Sequence, residues 1–281
     1  MTMHRYPHFR QAATNSLYSL LRLSGIVLLL LAVPGLQPAA AQNDDTPIIA
    51  AASDLQFALR EIAEDFTASS GRRVRLNFGS SGNFRRQIAQ GAPFEVYLSA
   101  DEAYVEALHR EGYTRDAGDL YAIGRIAVIA TEKNANVVDA ELNGLSRQLA
   151  NGLPARFAIA NPEHAPYGVA ARQVLQSLGL WSTIQSRLIL GENVSQAAQF
   201  ALSGDTIGGL VAYSLALAPP LRERSVHALI PSRYHDPLRQ RMVLLKDASA
   251  TARAFYNYLQ SAAARRVFNR YGFMLPAETQ Q

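Results

Sequence analysis

The sequence predicts an α/β fold in two lobes, each with a mixed, mainly parallel sheet, and three observations carry that expectation. Short apolar runs at strand spacing alternate with segments whose apolar residues recur at helical spacing. The rhythm pauses after the run Arg125–Ala130 and restarts at Arg156, as a second α/β unit would. The 281 residues hold no cysteine, so the fold rests on burial alone, and roughly 240 residues suffice for two medium-sized cores.

Residues 1–41 read as a cleaved signal peptide. Arg5, Arg10 and Arg22 precede the apolar run Ile26–Val33, and Ala39, Ala40 and Ala41 form a small-residue cleavage site. The run is too short to span a bilayer, and Pro34-Gly35 breaks it. The mature chain is therefore expected to begin at Gln42, in the periplasm, with no lipidated cysteine to tether it.

The first βα unit is the strand Ile48–Ala52 followed by Leu55, Ala58, Leu59, Ile62, Ala63 and Phe66 at helical spacing. Val74–Phe78 alternates like a strand, Phe84–Ala89 reads as a helix, and Glu95–Leu98 is a buried strand before a helix starting near Asp101. Arg125–Ala130 is the strongest β run. The second unit has the strand Arg156–Ala160 and the helix Val169–Leu178. Gly208–Ala212 and Met242–Leu245 supply further strands, and one closing helix is expected from Ala248 to Tyr271. The chain is expected to cross between lobes near residues 122–125 and 232–238, so that 42–123 with 236–281 form lobe 1 and 124–235 form lobe 2. There is no internal repeat and no low-complexity segment.

The charge balance argues against a nucleic-acid partner. The whole chain has 27 Lys and Arg against 23 Asp and Glu, but the presequence holds three Arg and no acid, leaving 24 against 23. A groove that tracks phosphates needs clustered cations. The nearest case, Arg222 and Arg224 followed by Arg233, Arg239 and Arg241, is interleaved with Glu223 and Asp236 and reads as solvated surface.

Four places put hydroxyls or bare amides just before a helix, where ligands bind in α/β sheets. They are Ser53-Asp54 after the first strand, Gly79–Asn83, the turn Asn161–Gly168 with Tyr167, and Gly191–Ser195 with Val194. Three of them also have a structural explanation: Ser53 or Asp54 as a simple helix cap, the glycines as a tight turn, Val194 as a loop residue over the core. Taken together they suit a small dianion. Helix N-termini present unpaired N–H groups and about half a positive charge, so no Lys or Arg is required. Every such N–H demands an acceptor, which favours a fully deprotonated oxyanion. His164 has no serine-plus-carboxylate set in a recognisable arrangement, and no nucleophile elbow is present, so the chain does not read as an enzyme.

The stretches AAASDLQFALREIA from Ala50, FGSSGNFRRQIAQGAPFEVYLSADEAYVEAL from Phe78, GRIAVIA from Gly124, ANPEHAPYGVAARQVLQSLGLW from Ala160, GENVSQA from Gly191, and FYNYL with FNRYGF near the end occur in family order. On them the chain resembles the periplasmic molybdate-binding proteins of ABC transporters over essentially the whole mature sequence. The resemblance implies a type II periplasmic-binding-protein clamshell that closes on molybdate or tungstate. It implies no cofactor, an inner-membrane permease as partner, and a monomer. Carried over by position, Ser53, Asp54, Ser81, Tyr167 and Val194 contact the oxyanion's oxygens, with no side chain ligating the metal directly. Asp54 stands where some members have Asn, so its side chain is expected to turn away from a dianion. Ala212 stands where some members have a ligating tyrosine. Tyr213, its neighbour on the strand, would face the other way, and Tyr167 would supply the phenol instead. Sulfate or another tetrahedral oxyanion is the alternative ligand.

Overall fold

The computed structural model describes residues 46–152 and 156–276; the expected signal peptide lies outside them. Among the described residues, ten strands form two five-stranded sheets. One sheet holds β1 (Ile48–Ala52), β2 (Arg75–Gly79), β3 (Phe94–Ser99), β4 (Asp119–Gly124) and β10 (Leu238–Leu244), in the order β2-β1-β3-β10-β4. The other holds β5 (Ile126–Ala130), β6 (Phe157–Ala160), β7 (Leu188–Gly191), β8 (Gly209–Ala212) and β9 (Val226–Leu229), in the order β7-β6-β8-β5-β9.

The two sheets share one topology. In the first, β1 pairs in parallel with β2 and β3, and β10 pairs antiparallel with β3 and β4. In the second, β6 pairs in parallel with β7 and β8, and β5 pairs antiparallel with β8 and β9. The antiparallel strand in each sheet is the one the chain enters after crossing from the other lobe, so it runs against its neighbours. The strands of the first sheet fall within 48–124 and 238–244, and those of the second within 126–229.

Burial on both faces explains the near-continuous apolar runs. Along the first sheet, Ile49, Ala51, Val96, Leu98, Met242 and Leu244 enter one core with Phe66, Phe255 and Phe268. Their neighbours Ala50, Tyr97 and Val243 enter another with Phe84 and Ile88, as the two-residue period of a strand requires. The second lobe has a core around Ile126–Ile129, Phe157–Ala160 and Leu210–Ala212.

The C-terminal segment differs from the single helix the sequence predicts. It forms two helices, Ala250–Leu259 and Ala262–Arg270, because the Ser261 side chain accepts from the Ala264 amide and caps a new start. The segment Asn143–Ala150, unmarked by the sequence pattern, is also helical.

Candidate functional site

Strand β1 ends at Ala52, and the next three residues, Ser53–Leu55, form a 3-10 turn that feeds the helix Gln56–Ser70. Strand β2 ends at Gly79, and Ser80 caps the helix Ser81–Ala89 by accepting from the Asn83 amide at 3.4 Å. In the other lobe, the helix Pro166–Ser177 starts after the turn that follows β6. Val194–Ala201 starts after β7, capped by Asn193, whose side chain accepts from the Gln196 amide at 3.1 Å. All four starts follow the C-terminal ends of parallel strands, where an open α/β sheet leaves its crevice.

These starts converge. One cleft of about 190 Å³ is lined by Ala52, Ser53, Asp54, Gly79, Ser80, Ser81, Ala100, Ala165, Pro166, Tyr167 and Val194. The structure thus brings together all five residues singled out in the sequence. Among the described residues, no Lys or Arg lines the cleft.

The first-turn amides of each helix fix what faces this space. At the helix Ser81–Ala89, the amides of Gly82, Asn83 and Phe84 are taken by His164 O, Ser80 Oγ and Ser80 O. At Pro166–Ser177, Pro166 has no N–H, and the amides of Gly168 and Val169 go to Ala165 O. At Val194–Ala201, the amides of Ser195, Gln196 and Ala197 go to Ser53 Oγ, Asn193 Oδ1 and Asn193 O. Each helix is left with one first-turn amide, that of Ser81, Tyr167 or Val194, to satisfy from the cleft.

Two hydroxyls add to these amides. Ser81 Oγ accepts from the Ala100 amide at 3.0 Å, and Ser53 Oγ accepts from the Ser195 amide at 3.2 Å. With a lone pair of each engaged, each hydroxyl keeps its own proton to donate. Tyr97, fully buried, steadies the Ser81 turn by donating to Ser81 O at 2.8 Å.

The lobes touch around the cleft. Ser195 Oγ donates to Ser53 O at 2.8 Å, Ser214 Oγ donates to Asp54 O at 2.8 Å, and the Gly82 amide donates to His164 O at 3.0 Å. His164 Nδ1 lies 3.0 Å from Ser80 Oγ, and its Nε2 lies 3.4 Å from a Glu192 carboxylate that is 67% exposed. Ser80, His164 and Glu192 have the residue types of a hydrolytic relay. Ser80, however, caps its own helix and meets His164 from the opposite lobe, so the arrangement joins the two halves of the cleft.

Asp54 does not turn away from the site. It is 1% exposed, its Oδ2 accepts from Gln240 Nε2 at 2.6 Å and Tyr167 Oη at 3.1 Å, and its Oδ1 is buried with no hydrogen-bond partner. Burial pushes its carboxyl up to about 6, held back by the bonds from Gln240 and Tyr167. Burial, with the Asp54 charge beside it, also raises the Tyr167 phenol, which stays protonated. Tyr213 does not line the cleft. It opens the helix Tyr213–Leu217, with the Arg125 guanidinium 4.7 Å above its ring.

Sequence reasoning missed Gln240, Ser195 and Ser214. Gln240 carried a signal: on β10 the inward positions Leu238, Gln240 and Met242 alternate, and Gln240 is the polar one, fully buried. Ser195 and Ser214 act across the cleft, and neither has a local pattern that marks such a role.

Comparison with known proteins agrees with this geometry. A model of the family described as bacterial extracellular solute-binding protein matches residues 48–274. A molybdate-binding protein of Rhodobacter capsulatus is 35% identical over 240 residues, covering 84% of this chain and 90% of that protein. One from Azotobacter vinelandii is 35% identical over 245 residues, covering 86% and 94%. A solved periplasmic molybdate-binding protein of Azotobacter vinelandii superposes with a TM-score of 0.74 at 30% identity, covering 82% of this chain and 99% of that one.

Proposed function

The chain belongs to the bacterial extracellular solute-binding proteins, and on that premise we propose that it captures molybdate in the periplasm and delivers it to the permease of an ABC transporter. One observation carries the choice of a small oxyanion. Three helix starts from two lobes each leave one amide, and two serine hydroxyls each keep a proton, around a cleft with no cationic side chain. Neutral donors and helix N-termini stabilise a dianion without a counter-charge. The relatives' names, which specify molybdate, support the choice of anion. Tungstate, of the same shape and charge, fits the same donors.

In this reading Ser53 and Ser81 hold the anion from one lobe and Tyr167 and Val194 hold it from the other. An anion that contacts both lobes stabilises the closed arrangement over an open one, and the permease reads that difference. The protein works as a monomer, needs no cofactor and catalyses no reaction. It reaches the periplasm through the cleaved presequence.

The test is thermal unfolding with molybdate, tungstate or sulfate at equal concentration. Molybdate and tungstate raise the melting temperature, by about 2.7 kcal/mol of stability at one hundred times Kd, and sulfate does not. A sulfate shift as large as the molybdate shift overturns the choice of ligand.

A further inference from the structure

Asp54 puts a carboxyl into a cleft whose other lining residues, among those described, carry no charge. Its Oδ2 is occupied by Gln240 Nε2 and Tyr167 Oη, while its Oδ1 is equally buried and makes no hydrogen bond. Gln240 cannot turn to change this, because Tyr121 donates to Gln240 Oε1 at 2.7 Å and leaves the amide nitrogen for Asp54. The groups hydrogen-bonded to Asp54 are neutral, as are the phenol behind Gln240 and, on the Val194–Ala201 helix packed against the same turn, Val194 and Ser195. Gln240 comes from β10, Tyr167 from the Pro166–Ser177 helix, Ser214 from the Tyr213–Leu217 helix, and the Tyr121 phenol from β4 behind Gln240. The amides of Asp54 and Leu55 pull its carboxyl weakly downward without bonding to Oδ1, and no charged side chain acts on it. The imidazole of His164 is engaged with Ser80 and Glu192.

A count of protons shows what a dianion meets there. With Asp54 ionised, the carboxylate and the Tyr167 phenol hold one proton between them, and their mutual contact uses it. Nothing remains to donate to the anion, and a negative carboxylate faces a doubly negative ligand with no cation nearby. With Asp54 neutral, the pair holds two protons. One maintains the Asp54–Tyr167 contact and the other meets a ligand oxygen.

We infer that the protein binds its oxyanion together with one proton, and that this proton, held by the Asp54–Tyr167 pair, converts the pair from an acceptor into a donor. The inference rests on the oxyanion-binding function proposed above and adds a proton to that complex. Asp54 is then a specificity-determining residue. An anion arriving bare takes a proton from solvent. One carrying its own proton, such as hydrogen phosphate, would instead place it against an ionised Oδ1. Burial has already brought the carboxyl to about 6, and the anion's charge raises it further. The affinity for a bare dianion therefore falls as pH rises above about 6, by up to tenfold per pH unit while the complex stays protonated and the free protein does not.

Titration calorimetry with sodium molybdate at pH 7.5, in two buffers of different ionisation enthalpy, decides the matter. The wild-type protein should take up close to one proton per anion bound, and its affinity should weaken several-fold from pH 6.5 to 7.5. Asp54→Asn, whose amide can donate without ionising, should still bind, with no uptake and a flat pH profile. His164→Gln should keep the uptake. Wild-type binding without proton uptake overturns the inference and leaves the proposed function standing. Uptake that persists in Asp54→Asn, or disappears in His164→Gln, also overturns it, because the proton then sits elsewhere. Hydrogen phosphate binding more tightly than molybdate, without uptake from buffer, shows that Asp54 works ionised and overturns it as well. Absence of binding by molybdate, tungstate, sulfate and phosphate alike removes the proposed function itself. If Asp54→Asn fails to fold, the wild-type and His164→Gln titrations carry the decision.

Discussion

Ser81 is held ready to donate by two neighbours, since the Ala100 amide occupies a lone pair of its hydroxyl and the Tyr97 phenol pins its carbonyl. On the proposed function, removing the hydroxyl deletes one charge-assisted hydrogen bond to the anion. Ser81→Ala should therefore weaken molybdate binding by about 1.5–3 kcal/mol, read by calorimetry, and lower the unliganded melting temperature as well, because the buried Ala100 amide loses its acceptor, without unfolding the protein. Asp54 makes the opposite kind of contribution. Its carboxyl is raised in the folded protein, to about 6 from 3.8, so ionising it costs stability. That cost is absent below pH 4, grows as pH rises toward 6, and is complete above it. Asp54→Asn removes the ionisation. Its stability relative to wild type, followed by denaturant unfolding without ligand, should improve by about 2–3 kcal/mol between pH 4 and pH 7. A constant difference across that range would place the Asp54 carboxyl in contact with water. Ser53, Ser81 and Tyr167 were legible in the sequence because each sits in a short polar or turn-forming stretch just before helical spacing begins. Gln240 was not recognised, since its partners Asp54, Tyr121 and Tyr167 are remote in sequence and meet only through the fold.

At the scale of elements, the cleft is made by helix starts brought close enough to touch, and Gly82 marks one close approach. A Cβ on Gly82 would lie 2.7 Å from His164 O, a backbone atom of the other lobe, and 3.0 Å from the Tyr104 hydroxyl. Gly82→Ala should thus hinder closure while leaving each lobe folded, helped by the better helix propensity of alanine. The expected result is an affinity loss of about tenfold or more, roughly 1.4 kcal/mol, with an unliganded melting temperature unchanged or slightly raised. Gly168 is the contrast. A Cβ there would meet Ala160 O at 2.2 Å within the same lobe, so Gly168→Ala should lower the melting temperature itself. The sequence pattern revealed the central strands and missed β4, β7 and β9, all of which lie at sheet edges. Strands β7 and β9 are four residues long and largely half-exposed, so their side chains lack the apolar run that burial on both faces imposes. The break at Ser261 was hidden because apolar spacing continues through Ala264, Val267 and Phe268 on the far side of the cap.

At the scale of the whole molecule, two lobes with the same strand order and no sequence repeat face each other across one small cleft. The restart of the βα rhythm at Arg156 made the second lobe legible. The shared topology was not, because it depends on which strand enters each sheet after the crossing. The chain passes between sheets at Gly124-Arg125, where a Cβ on Gly124 would come within 2.4 Å of the Tyr167 hydroxyl, so the crossing and the site are packed against each other. Just beyond, Arg125 Nε donates to Gly272 O at 2.7 Å and ties the crossing to the C-terminal segment. The central claim is that amides and hydroxyls from both lobes, without a cation, enclose one tetrahedral dianion. The most direct measurement is an anomalous difference map, recorded at the molybdenum absorption edge, from crystals of the protein grown with molybdate. One dominant peak is expected in the cleft, bounded by Ser53, Ser81, Tyr167 and Val194, with oxygens in hydrogen-bonding range of the Ser81, Tyr167 and Val194 amides. A dominant peak against surface arginines, or an empty cleft in a crystal saturated with molybdate, would contradict it.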